Sequence, residues 1–120
     1  MALFHIVDRA TWDRVRGDGE YRAASLETEG FIHLSGDRQW LATANRFFRG
    51  RGDLVLLVIV PDRLTAEVRY EPADGDHFPH LYGPLNLDAV LDAHPLPLGD
   101  DGSIGIPAEL APWRHYFASR

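Results

Sequence analysis

The sequence has no cysteine, which removes disulfides, thiolate nucleophiles and zinc–thiolate sites together. Lysine is absent too, all twelve basic residues being arginine. That excludes Schiff-base chemistry and the lysine of a phosphate-binding P-loop, and leaves arginine as the cation for a phosphate or carboxylate. No stretch approaches the ~20 apolar residues of a membrane span, and the N-terminus lacks the basic segment and long apolar run of a secretory signal. A soluble, cytoplasmic protein with no membrane partner is expected. GxGxxG and GxSxG are missing as well, so neither a Rossmann dinucleotide site nor a hydrolase nucleophile elbow is supported.

What is present is an ordinary globular composition, 45% hydrophobic and 25% charged, close to the average for soluble domains. The 120 residues suit one domain over 1–120 with a core of its own. Eighteen acids against twelve arginines give a formal charge of −6. This opposes sequence-independent binding to polyanions, whose affinity comes largely from neutralised phosphates, so nucleic acid is not the expected partner.

Along the chain, LFHIV at 3–7 reads as a strand. Thr11 is placed to cap a short helix, TWDRVR, which buries Trp12 and Val15 and ends at Gly17-Asp18-Gly19. Residues 20–25 read as a connector, and GFIHLS at 30–35 as a second strand. Asp37 is the expected cap of RQWLATANRFFR, in which Trp40, Leu41, Ala44, Phe47 and Phe48 form one apolar face closed by Gly50. Seven consecutive aliphatic residues at 54–60, stopped by Pro61, predict a central strand covered on both faces. VRYE follows as a strand with Val68 and Tyr70 on one side and Arg69 and Glu71 on the other; PADGDHFP reads as a loop and HLYG as a strand. Residues 90–96 fit a strand or a short helix, and PAELAPWRHYF an amphipathic turn docking Trp113 and Phe117. Strands outnumber long helices without alternating regularly with them. The fold class is therefore α+β, with a mostly antiparallel or mixed sheet and short flanking helices.

An imidazole inside an apolar strand must find a hydrogen-bond partner, and GFIHLS carries one in its middle. Alternation puts His33 and Ser35 on one strand face, and His80 and Tyr82 on one face of HLYG. If these strands neighbour LFHIV, then His5, His33, Ser35, His80 and Tyr82 line one cleft. A single strand histidine is by default a satisfied structural donor; three together weaken that default. Glu71 and Arg69 read by default as an exposed, nearly neutral pair. His77 and His80 stand three apart, but Pro79 between them prevents the helical geometry of familiar zinc sites, and no metal is expected.

FHIV, EYRAASLETEGFIHLS, ANRFFRG, LVLLVIVPDRL, VRYEPADG and FPHLYGPLNLDAV, in this order over residues 3–97, resemble the small bacterial domain-of-unknown-function family numbered nine hundred and fifty-two, with 98–120 as a C-terminal extension. The resemblance implies an ADP-ribosyltransferase-like fold built on a split sheet. It further implies binding of NAD or a related nucleotide, with cleavage of the nicotinamide glycosidic bond or transfer of ADP-ribose as the reactions to expect. On this basis His5 would hold the nicotinamide ribose, His33 would stack on the base, Ser35 would supply the small residue that follows, and Arg46 or Arg69 would meet the pyrophosphate. His80 falls where the catalytic glutamate is usual, so Glu71 or His80 would stand in for it. That departure keeps open an alternative from another class, a non-catalytic module binding a small anionic metabolite.

Overall fold

The computed structural model describes residues 1–114 and Phe117. The elements are β1 (Leu3–Asp8), α1 (Arg9–Val15), β2 (Glu20–Tyr21), α2 (Ala24–Thr28), β3 (Ile32–His33), α3 (Trp40–Phe47), β4 (Leu54–Ile59), β5 (Glu67–Ala73), β6 (Asp76–Tyr82), β7 (Leu85–Asn86) and β8 (Val90–Pro95), with short 3-10 helices at Pro61–Arg63, Leu87–Ala89 and Ala108–Trp113. The strands are ordered β1-β4-β8, β2-β7 and β3-β6-β5, and their ladders are antiparallel. The fold is thus a mixed α+β arrangement of antiparallel sheets with few helices.

All of β4 is buried. Side-chain alternation sends Val55, Leu57 and Ile59 into one core with Leu3, Val7, Ile32 and Leu81. Leu54, Leu56 and Val58 enter a second core with Phe4, Trp40, Ala44 and Phe117. The unbroken aliphatic run marks a strand that has a core on each side, as expected from the sequence. The first core lies against β3-β6-β5 and α1, the second against α3 and the C-terminal segment.

Several local expectations are corrected. Helix α1 is capped by Asp8, whose carboxylate accepts from the Thr11 N–H at 2.9 Å and the Thr11 hydroxyl at 2.7 Å. Thr11 is a donor within the first turn and not the cap. Helix α3 has Gln39 at its N-cap, because a turn on Gly36 comes first and the Gln39 side-chain oxygen accepts the Gly36 N–H at 2.8 Å; Asp37 lies in that turn. Residues 20–25 hold β2, paired with β7, and the start of α2. Of residues 90–96, Val90–Pro95 form strand β8 and not a helix. In the tail, Phe117 packs edge-on against Phe4 and Trp40 at 5.9 and 5.4 Å, whereas Trp113 is 56% exposed; His115 and Tyr116 lie outside the described residues.

The expected PADGDHFP loop is a tight hairpin. Strand β5 runs to Ala73, which pairs with Asp76 across a two-residue turn. Asp74 (φ 51°) and Gly75 (φ 82°) both take positive φ, the backbone that matches the twist of a two-residue hairpin. Pro72 is tolerated because β5 is an edge strand. Pro79 does something further. Its carbonyl accepts the Leu34 N–H at 3.0 Å, so the side on which it lacks an N–H faces residues 34–35, and the β3–β6 ladder stops there. Ser35 instead exchanges both backbone hydrogen bonds with Phe4 of β1, each 2.8 Å. Residues 32–35 therefore join the β1-β4-β8 and β3-β6-β5 sheets at one end, and the sheets part beyond.

Gly83, just after β6, is held by space. A Cβ there would lie 2.7 Å from the Ala66 Cβ, a separation that forces backbone movement. Gly83→Ala is expected to destabilise the fold by about 1–3 kcal/mol, read as a lower urea midpoint at unchanged slope. An unchanged midpoint would show that the loop yields freely.

Candidate functional site

The parting of the sheets opens a cleft of about 390 Å³, walled by His33 and Ser35, by Ile6 of β1, by Phe47 of α3, and by Asp74 and His80 of the β5–β6 hairpin. Its volume falls within the range of small-molecule sites, roughly 300–1,000 Å³. Leu34, Phe48, Phe78 and Ala73 make the remaining wall largely apolar. His5 also reaches it.

His5 spans the split. Its Nδ1 lies 2.7 Å from the His33 carbonyl oxygen and its Nε2 3.3 Å from the Tyr21 hydroxyl. A carbonyl only accepts, so Nδ1 carries the proton and Nε2 accepts from Tyr21. Burial pushes the His5 pKa down to about 4 and the Tyr21 phenol up to about 12. His5 is thus a neutral clasp across the divergent strands, with both ring nitrogens engaged inside the protein.

His80 is the second buried histidine, 5% exposed. In the antiparallel register it stands opposite His33 on one side and Arg69 on the other, and Glu71 is a diagonal neighbour. The His80 Nδ1 donates to the Glu71 carboxylate at 2.8 Å, and the Tyr82 hydroxyl donates to the same oxygen at 2.5 Å. These hydrogen bonds, Tyr82's first and then His80's, hold the Glu71 carboxyl below its usual range, while the carboxylate raises the Tyr82 phenol. With the Nδ1 proton directed at Glu71, Nε2 is the ring's remaining acceptor when the imidazole carries one proton. That Nε2 is buried and has no hydrogen-bond partner among the described residues. Phe31 stacks on the His80 ring at 4.0 Å and 14°.

The other expected site residues are distributed around this pair. His33 is half exposed and bonds Glu29 at 3.0 Å, with its ring edge-on to Phe31 and His80 at 4.9 and 5.5 Å. Ser35 is buried at the strand junction. Tyr82 meets the site through Glu71 and does not line the cleft. Arg69 pairs with Glu67 at 3.0 Å, and not with Glu71, while its guanidinium covers the Tyr82 ring at 4.4 Å. Arg46, at the rim, pairs with the cleft-lining Asp74 at 3.3 Å and lies 5.2 Å from the Phe47 ring. His77 projects from the opposite face of β6 to His80. Among the described residues no group of three or more histidines and acids is placed to hold a metal ion.

A family model described as "Protein of unknown function (DUF952)" matches residues 6–93. The chain belongs to this family. The crystal structure of protein CC0527 from Caulobacter crescentus is 35% identical, with a TM-score of 0.82 over 92% of this chain and 99% of that one. The solution NMR structure of CC0527 is 34% identical, with a TM-score of 0.76 over 92% of this chain and 95% of that one. No curated protein matches the chain. In this DUF952 protein, then, the fold is that of solved relatives, and the chemistry is to be read from the cleft itself.

Sequence reasoning did not find Tyr21 as the partner of His5, Asp74 as a cleft residue, or the place of Phe47. Phe47 is 57% exposed at the cleft rather than buried on the core face of α3. One signal was available: Asp74-Gly75 between two strands marks a two-residue hairpin, and counting back from it puts Glu71 beside His80.

Proposed function

We propose that the cleft binds NAD or a related nucleotide, in an ADP-ribosyltransferase-like split sheet of a cytoplasmic protein. The observation that carries this reading is the buried His80, fixed by Glu71 through Nδ1, with an Nε2 that has no partner among the described residues beside a largely apolar cleft. A flat heteroaromatic ring suits the aromatic lining of His33, Phe47, Phe48 and Phe78, and a ribose hydroxyl suits the His80 Nε2 acceptor. Arg46 is paired with the cleft-lining Asp74, and an anionic diphosphate would compete with Asp74 for it. His5 supports the site as a clasp, with both ring nitrogens engaged inside the protein, and leaves the ribose to His80.

The test follows the six histidine rings by NMR during titration with NAD. The His33 and His80 signals are expected to move, while those of His77 and His94, which do not line the cleft, stay in place. Arg46→Gln is expected to weaken binding about tenfold, the loss of one charged contact of roughly 1.4 kcal/mol. If no ring moves at millimolar NAD, the nucleotide reading fails.

A further inference from the structure

Resting on the nucleotide reading, we infer that Asp74 is the charge-selecting residue of the cleft. With Arg46 it selects a ligand that joins a cationic aromatic ring to an anionic tail, and so the oxidised nicotinamide nucleotide over the reduced one. Among the described residues that line the cleft, Asp74 is the one carboxylate and there is no arginine. The rings of His33, Phe47, Phe48 and Phe78 share that lining. A carboxylate set among aromatic side chains attracts a cation and disfavours an anion.

The chain already seats a cation of its own there. The Arg46 guanidinium lies 3.3 Å from the Asp74 carboxylate and 5.2 Å from the centre of the Phe47 ring, so one cation makes both an ion pair and a cation–π contact. Arg46 does not itself line the cleft. Both members of the pair are exposed, which makes their attachment weak and exchangeable. A diphosphate that draws Arg46 away leaves Asp74 without its counter-charge. The pyridinium ring of an oxidised nucleotide restores that charge, whereas the neutral dihydropyridine of the reduced form leaves the carboxylate stranded. The ligand's opposite charges thus replace both halves of the resident pair.

The hairpin explains the backbone of residue 74 but not its charge. Asp74 stands at φ 51° before Gly75, and asparagine suits such a turn equally well. Asp74→Asn therefore keeps the hairpin and removes the carboxylate alone.

The oxidised and reduced dinucleotides are titrated separately, with affinity read from the His33 ring signal. The oxidised form is expected to bind at least about tenfold more tightly. In Asp74→Asn the oxidised form should lose about tenfold while the reduced form holds or gains, so that the two affinities converge. Nicotinamide methylated on its ring nitrogen, which carries the charge without the diphosphate, is the second probe. Arg46→Gln should bind it several-fold more tightly than the parent, because the competing guanidinium is gone, although the same substitution weakens the dinucleotide. Equal affinities of the parent for the two redox forms overturn charge selection and leave the nucleotide reading standing. A preference that survives in Asp74→Asn arises from ring shape and overturns the role of Asp74. If Arg46→Gln binds the methylated ring no more tightly than the parent, the exchange with Arg46 is overturned. If neither dinucleotide moves the His33 signal, the nucleotide reading fails and this inference with it.

Discussion

Lowering the pH from 6.5 to about 4 is expected to remove about 3 kcal/mol of folding stability through His5 alone. The folded protein holds His5 neutral, its pKa depressed by burial to about 4, whereas the unfolded chain protonates it near 6.5. The unfolded state therefore binds more protons through this window. The contribution is complete above the unfolded value and is lost as pH falls towards the folded one. Asp8, lowered chiefly by its bonds to Thr11, and Glu71, lowered by Tyr82 and His80, act in a separate window. They stabilise above the ordinary carboxylate range and lose that effect only at more acidic pH. His5→Asn keeps a donor for the His33 carbonyl but cannot titrate. At pH 7 it should be less stable by about 1–2 kcal/mol, the cost of an imperfect buried hydrogen bond. Its urea midpoint should then stay level between pH 6.5 and 4.5 while the parent falls. Parallel curves for the two proteins would show that His5 is not the group responsible.

Trp40→Ala is expected to cost about 3–5 kcal/mol, a large share of the roughly 5–15 kcal/mol typical of a domain. Trp40 is completely buried and fills the space between β1 and the C-terminal segment, its ring 6.0 Å from Phe4 and 5.4 Å from Phe117. Truncation leaves a void under the first turn of α3, the helix that supplies Thr43 and Phe47 to the cleft. The indole N–H has no hydrogen-bond partner among the described residues. Trp40→Phe removes that polar atom along with part of the ring, so the two effects offset and the loss should be well under half that of the alanine variant. Equal losses in thermal or urea unfolding would mean that the N–H is satisfied and that its bond, rather than the packing, holds the helix.

The strand interiors were legible because their signals are local. The aliphatic run of β4 states that both its faces are buried, and alternation alone puts His80 and Tyr82 on one face. Asp8 and Thr11 were not separable as caps, since both are good capping residues and what places the helix start is the end of β1 at Asp8. Pro72 and Pro79 made the β5–β6 hairpin look like a loop. One lies on an edge strand and the other where the ladder ends, and both circumstances depend on which strands are neighbours. The link between Glu71 and His80 is a product of hairpin register, and Asp74-Gly75 was the signal in the sequence that would have set it. His5 was recognised as polar and buried, but its engagement with His33 and Tyr21 needs contacts 28 and 16 residues away.

Because β4 belongs to both cores, neither core can come apart while the other keeps its central strand. The molecule has no natural seam along which half of it could melt, and cooperative unfolding follows from this one strand. The hairpin carrying Glu71 and His80 meets the rest of the structure differently. Its outer strand, β5, has no neighbour on one side among the described residues, so the cleft wall can breathe without disturbing the strand on which the fold depends.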